Sequence, residues 1–248
     1  MRRTAIALLL ALAACERSEP PPLPPAPQQV AEPPWFICDG IDAPALYVFE
    51  REGDVVRVAK YDKPNGAIVE RSEYQAAAEE GAAGSVYTGL MQNGAEAGAA
   101  RQINPGMLET PGAAYTPPFS SIRLGEEQIT CRWLPRTRLI GFTGRRSFVV
   151  HEDGSGDLIY TTYDFAAAAQ QPPIELSENG RTTPFSVEAR GGEERLTPNG
   201  AEYTFDNRGY RYVVTVSRDG TGALTVLQNG AEVQSEPLIA FQQGSAAE

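Results

Sequence analysis

The chain carries one histidine, His151, and three cysteines, Cys15, Cys38 and Cys131. A Ser-His-Asp or Cys-His nucleophile would have to use His151, yet no Gly-x-Ser-x-Gly elbow accompanies it. His151 ends a strand-like run, 146–151, just before a turn, where a solvated histidine is expected. Paired carboxylates could support acid–base or glycosidase chemistry. The pairs here, such as Glu79-Glu80, Glu126-Glu127, Glu152-Asp153 and Glu193-Glu194, are adjacent, and adjacent residues on a strand point to opposite faces. That placement suits solvation better than a shared cleft. Asp153, Ser155, Asp157, Ile159, Thr161 and Asp164 fall at positions 1, 3, 5, 7, 9 and 12 of a calcium loop. Leu158 occupies the position where the loop needs glycine, so a hairpin turn followed by a strand is expected. Cys/His zinc spacing is absent. These patterns predict no catalytic residue, no metal and no cofactor.

The stretch with the clearest chemistry lies at the N-terminus. Arg2 and Arg3 form a basic region, Ala5–Leu12 is an apolar run too short to span a bilayer, and Leu12-Ala13-Ala14-Cys15 ends it. This segment resembles the signal peptide and lipobox of bacterial lipoprotein precursors. The resemblance implies that residues 1–14 are a signal peptide, that Cys15 carries a diacylglyceryl group, and that the new amino terminus is acylated. It places the protein in the bacterial cell envelope, its partner membrane reached through the lipid. Glu16 follows the cysteine in place of the Asp that favours inner-membrane retention in some enteric bacteria, which leans the expectation to the outer membrane, facing the periplasm. With Cys15 consumed by lipid, Cys38 and Cys131 remain as an even pair in an oxidising compartment, and a disulfide is expected. Two free buried thiols are the alternative.

Residues 15–34 read as a tether. Pro20, Pro21, Pro22, Pro24, Pro25, Pro27, Pro33 and Pro34 oppose helix and sheet alike and leave extended polyproline II. At about 3.1 Å per residue, such a segment holds a domain up to roughly 60 Å from the bilayer. Charge limits the partners of the tethered domain. The whole chain has a formal charge of −11, and removing residues 1–14 takes away two arginines and no acid, leaving −13. A domain this acidic repels nucleic acid, which is excluded as a partner. Arginine supplies nearly all of the basic residues, which reads as coding bias more than as a binding device. An envelope protein partner remains open.

The chain has 24 Gly and 20 Pro, and short β-branched runs between turn signals predict a mainly β protein over residues 35–243. We expect an antiparallel β-sandwich or small barrel-like sheets, in two halves at 35–130 and 131–243 joined through Cys38–Cys131, with a disordered tail at 244–248. Strands are predicted over 45–50, 54–61, 128–134, 137–143, 146–151, 157–163, 183–189, 203–206, 210–217, 223–228 and 232–241. Ser72-Glu73-Tyr74-Gln75 has the form of a capping box and predicts one minor helix over 73–80. Residues 92–120, rich in Gly, Ala and Pro, predict a long loop.

Two echoes run through the chain. Tyr47, Phe49, Gly53, Val58, Gly66 and Ala67 match Tyr203, Phe205, Gly209, Val214, Gly222 and Ala223 without a gap, and Asp153-Gly-Ser-Gly-Asp-Leu158 matches Asp219-Gly-Thr-Gly-Ala-Leu224. Duplication and shared hairpin physics both account for them. Asn199-Gly200-Ala201-Glu202-Tyr203 resembles the Ser-Gly-Ala-x-Tyr stretch of membrane-bound lysozyme inhibitors, which are lipid-anchored, disulfide-bearing small β-barrels. Asn199 stands where that family has Ser, and its later Lys-Gly loop has no counterpart. The expected function is a non-catalytic binding or assembly domain displayed in the envelope. A lysozyme-inhibitor-like module is the first alternative and a carboxylate hydrolase the second.

Overall fold

The computed structural model describes residues 33–104, 107, 115–168, 174–175 and 181–244. Cys15, the signal-like segment, nearly all of the tether and residues 245–248 lie outside them. The described residues are predominantly strand. A first sheet runs in sequence order through β1 (Phe36–Asp39), β2 (Ala45–Glu52), β3 (Val55–Asp62), β4 (Ala67–Ala82), β5 (Ser85–Gln92), β6 (Ala95–Ile103), β7 (Phe119–Leu124) and β8 (Glu127–Thr130). The second half supplies β9 (Thr137–Phe142), β10 (Arg146–Glu152), β11 (Leu158–Asp164), a four-residue helix α1 (Phe165–Ala168), and a small pair β12 (Ile174–Glu175) and β13 (Arg181–Thr182). It then continues with β14 (Val187–Thr197), β15 (Gly200–Asn207), β16 (Tyr210–Ser217), β17 (Gly222–Gln228), β18 (Ala231–Pro237) and β19 (Ala240–Gln243).

Each sheet curls until its ends meet. In the first, an all-neighbour meander, Gly40 bridges Cys131, Ile41 N donates to the Thr130 carbonyl at 2.9 Å, and Arg132 N donates to the Asp39 carbonyl at 2.8 Å. Cys38 and Cys131 are disulfide-bonded across this seam. The bond therefore closes the first barrel on itself. It does not join the two halves, as the sequence suggests, because Cys131 directly extends β8. In the second sheet, β18 pairs with β17 while its continuation β19 pairs with β9, so one bent strand completes the circuit. A second corner lies in β14, which leaves β11 at Gly192 and takes up β15 at Glu193. Gly191 has φ +69°, and a Cβ on Gly192 would stand 2.0 Å from the Phe205 ring, so this corner requires glycine at both positions.

The period-two alternation of the strands sorts the apolar residues into three clusters. Phe36, Cys38, Tyr47, Phe49, Val56 and Val58 fill the first barrel. Phe148, Val150, Tyr160, Tyr203, Phe205, Val214 and Leu224 fill the second. The alternate residues Ile37, Leu46, Val48 and Tyr61 leave the first barrel on its outer face and pack against Ile140, Phe142, Val149, Tyr163 and Ile239 of the second. Strands β1 and β2 are thus buried on both sides, which explains their near-continuous apolar sequence.

Three local expectations fail, the smallest being the strand expected over 183–189, which begins only at Val187 with β14. Residues 73–80 are not a helix; they lie inside the sixteen-residue strand β4. Tyr74 is buried among the first barrel's apolar residues, with Ala76 packed against the same cluster. The Ser72 hydroxyl, expected to cap a helix, donates instead to the Glu70 carboxylate at 3.0 Å. Pairing on both sides, with β3 and β5, outweighs the helix propensity of the alanine run, and a register shift between Ala76 and Glu79 absorbs the extra residues. Within 92–120, β6 is a full nine-residue strand between β5 and β7. Its small residues permit close approach: a Cβ on Gly98 would stand 2.5 Å from the Arg123 carbonyl oxygen.

Candidate functional site

Strand register builds a polar mouth at one end of the first barrel. Cys38 pairs with Tyr47, Tyr47 with Lys60, and Lys60 with Glu70, so these four residues form one transverse row across β1–β4. Two residues further along each strand lies the parallel row Phe36, Phe49, Val58 and Ser72. On the opposite wall Leu124 of β7 pairs with Glu127 of β8. Between the walls opens a cavity of about 400 Å³, lined by residues of both rows together with Tyr74, Gln92, Ala97 and Leu124.

The cavity follows from unequal side-chain volume. Strands β1 and β2 send large rings inward, and Phe36 stacks on Phe49 at 4.1 Å and on Phe119 at 3.7 Å, filling the interior beyond the mouth. Strands β4 and β6 contribute Ser72, Ala76, Ala97 and Ala100, which cannot fill the same cross-section.

Lys60 spans the opening. Its Nζ lies 3.8 Å from Glu127 Oε2 and 5.6 Å from the centre of the Tyr47 ring. Tyr47 is 2 % exposed. Burial raises its phenol above the usual range, and the Lys60 ammonium offsets only part of that. For Lys60 itself burial pulls downward, but Tyr47, Glu127 and Glu70 outweigh it and hold the amine above the usual lysine range. The mouth therefore combines an ammonium, two carboxylates and two phenols around a floor of Val58, Ala97 and Leu124. An apolar floor with a few converging polar groups is the chemistry of a small-molecule receptor.

A second polar cluster differs in every respect. Asp39 is fully buried where the two barrels meet. Lys63 Nζ lies 2.9 Å from its Oδ1, Arg132 Nε 2.7 Å from its Oδ2, and Ser147 Oγ donates to Oδ2 at 2.5 Å. Arg132 also donates to Thr182 at 2.7 Å and Thr183 at 2.9 Å, and its guanidinium lies 3.4 Å from the centre of the Tyr163 ring. Lys63 donates to the Gly40 carbonyl. Burial alone would raise the Asp39 carboxyl, but Lys63 and Arg132 outweigh it and hold it well below the usual carboxylate range. This is a tightly bonded ion cluster that fixes one barrel on the other.

The residues singled out in the sequence separate accordingly. His151 sits half-buried on β10 opposite Ile159, and burial lowers its pKa. Asp153 makes a turn, accepting from Ser155 N at 2.8 Å and Asp157 N at 3.1 Å. Leu158 begins β11, so the calcium-loop spacing belongs to a hairpin. Among the described residues no group of three or more His, Cys, Asp or Glu side chains is placed to hold a metal. Glu152 and Glu194 do converge, but Arg138 bridges them at 3.3 and 2.9 Å, and Tyr115 and Tyr203 donate to them. Of the adjacent acidic pairs, only Glu127 lines the mouth.

Nothing local in the sequence marks Lys60 and its row as a site, but the scarcity of lysine is a signal. The chain has 21 basic residues, and only Lys60 and Lys63 are lysines. Each lies in one of these two polar clusters, Lys60 at the open mouth and Lys63 at the buried junction. No protein-family model matches this chain, and no curated protein is significantly similar to it.

Proposed function

We propose that the protein is a non-catalytic binding protein of the bacterial envelope, anchored through lipid on Cys15, whose receptor is the open mouth of the first barrel. The observation that carries this reading is the 400 Å³ cavity, which falls within the roughly 300–1,000 Å³ of small-molecule sites and lies at a barrel mouth, where such sites recur. The lipobox-like residues 12–15 supply the address, and the proline-rich tether supplies the distance from the membrane. The polar groups of the mouth are paired with each other, Ser72 with Glu70 and Lys60 with Glu127, which suits recognition better than turnover.

The test is to incubate the purified full chain and its Ala97→Trp variant with small-molecule extract of envelopes, and to identify by mass spectrometry what each retains. Small molecules held by the parent and lost from a variant of unchanged circular dichroism support the reading. Equal retention, or none by either, contradicts it. Membrane attachment that survives Cys15→Ala at unchanged mass would contradict the anchor.

A second reading, a lysozyme-inhibitor-like module, draws support from the second half being an eight-strand circuit that begins its β15 strand at Gly200-Ala201-Glu202-Tyr203. An inhibition assay against a basic lysozyme decides it.

A further inference from the structure

The charge balance of the barrel mouth narrows the ligand, given the reading of that mouth as a binding site. One ammonium, Lys60, faces two carboxylates, Glu70 and Glu127, so the lined cavity carries one excess negative charge. Lys60 is already engaged by Glu127 at 3.8 Å and lies over the Tyr47 ring. An anionic ligand would have to displace an internal carboxylate from it while lying beside the other. That is a like-charge juxtaposition, and such arrangements reject partners strongly. A cation meets the opposite situation. Glu70 stands at the rim with Ser72 Oγ 3.0 Å away, a carboxylate and a hydroxyl oxygen side by side, and Tyr74 lines the same cavity. The floor is apolar, so the rest of the ligand need carry no charge.

We infer that the first barrel binds small organic amines, the ammonium held at Glu70 and Ser72 and the apolar body resting on Val58, Tyr74 and Leu124. The net charge of residues 15–248, −13 once residues 1–14 are removed from a chain of −11, raises the local concentration of such cations without defining the site.

Three probes of one shape separate charge from shape: phenethylamine, 2-phenylethanol and phenylacetate, titrated calorimetrically into the full chain at low salt. The amine is expected to bind about tenfold more tightly than the alcohol, with the acid weakest. Glu70→Gln lowers the amine affinity about tenfold, to that of the alcohol, and Ala97→Trp abolishes binding of all three. Phenylacetate or 2-phenylethanol binding as tightly as the amine, or an amine affinity indifferent to Glu70→Gln, overturns the amine assignment while leaving the mouth a binding site. If none of the three binds at millimolar concentration, the receptor reading falls with it.

Discussion

The two barrels use the same strand geometry and fill it differently. In the second, Tyr160 lies 6.1 Å from Phe148, 5.4 Å from Phe205 and 5.5 Å from Tyr212, ring to ring, so aromatic side chains bridge the interior from several strands. In the first, rings from β1, β2 and β7 gather on one side and at one end, while Ser72, Ala76 and Ala97 leave the mouth empty. Closure differs as well. The second barrel is completed by one bent strand, whereas the first depends on a disulfide and the ion cluster at Asp39. One barrel is built as a packed support and the other as a stapled container.

That contrast breaks most directly through core volume. Phe205→Ala should cost about 3–5 kcal/mol by removing a fully buried ring from the packed interior. Ala97→Phe, a larger change on paper, should alter stability by less than about 1 kcal/mol, because the added ring has a cavity to enter. Urea denaturation of the two variants measures both. A costly Ala97→Phe would mean that the first barrel is as tightly filled as the second.

The ion cluster should matter nearly as much. Asp39→Asn leaves Lys63 and Arg132 buried without their carboxylate, and about 3–5 kcal/mol should be lost. Because the folded carboxyl lies below its unfolded value, its contribution is complete above about pH 4 and is lost as pH falls through the lowered value. The parent should therefore lose stability on acidification below about pH 4 more steeply than the Asn variant. Parallel acid limbs would show that Asp39 does not govern the junction. Replacing Cys38 and Cys131 by serine opens a loop with a sequence separation of 93 and should cost about 2–5 kcal/mol, with hydrogen exchange accelerating in β1 and β8 before β15 and β16. Uniform acceleration would show that the staple serves both barrels alike.

How far these features are legible in the sequence differs between them. Local alternation suffices for the β class and for hairpins such as β16, because one buried face leaves a period-two signature. The echo also has physical content. Tyr47, Phe49 and Val58 face the interior of the first barrel as Tyr203, Phe205 and Val214 face that of the second. The pairing differs, however: Phe49 stands opposite Val58, whereas Phe205 stands opposite Tyr212. Asp153 and Asp219 make the same turn, each accepting from the backbone N–H two residues on. The helix expected at 73–80 fails because alanine propensity is local while the pairing of β4 on both sides is not. The mouth is hidden for the same reason. Tyr47, Lys60, Glu70 and Glu127 lie on four strands, and only the closure of the sheet brings them to one cavity.

A smaller effect sharpens the separation of site from scaffold. Burial holds the folded pKa of His151 below its unfolded value, so its contribution is complete above about pH 6.5 and declines as pH falls through the lowered value. His151→Gln should flatten the stability profile by less than about 1 kcal/mol between about pH 7 and 5 and leave probe binding at the mouth unchanged. A change in binding would bring His151 into the site.

The central claim is that one barrel receives ligand and the other does not. Methyl-resolved NMR of the full chain, titrated with phenethylamine, tests it without any variant. The account predicts saturable shifts at Val58, Ala97 and Leu124, with Val214, Val216 and Leu224 unmoved. Shifts confined to the second set, or no saturable shift in either barrel, would contradict it.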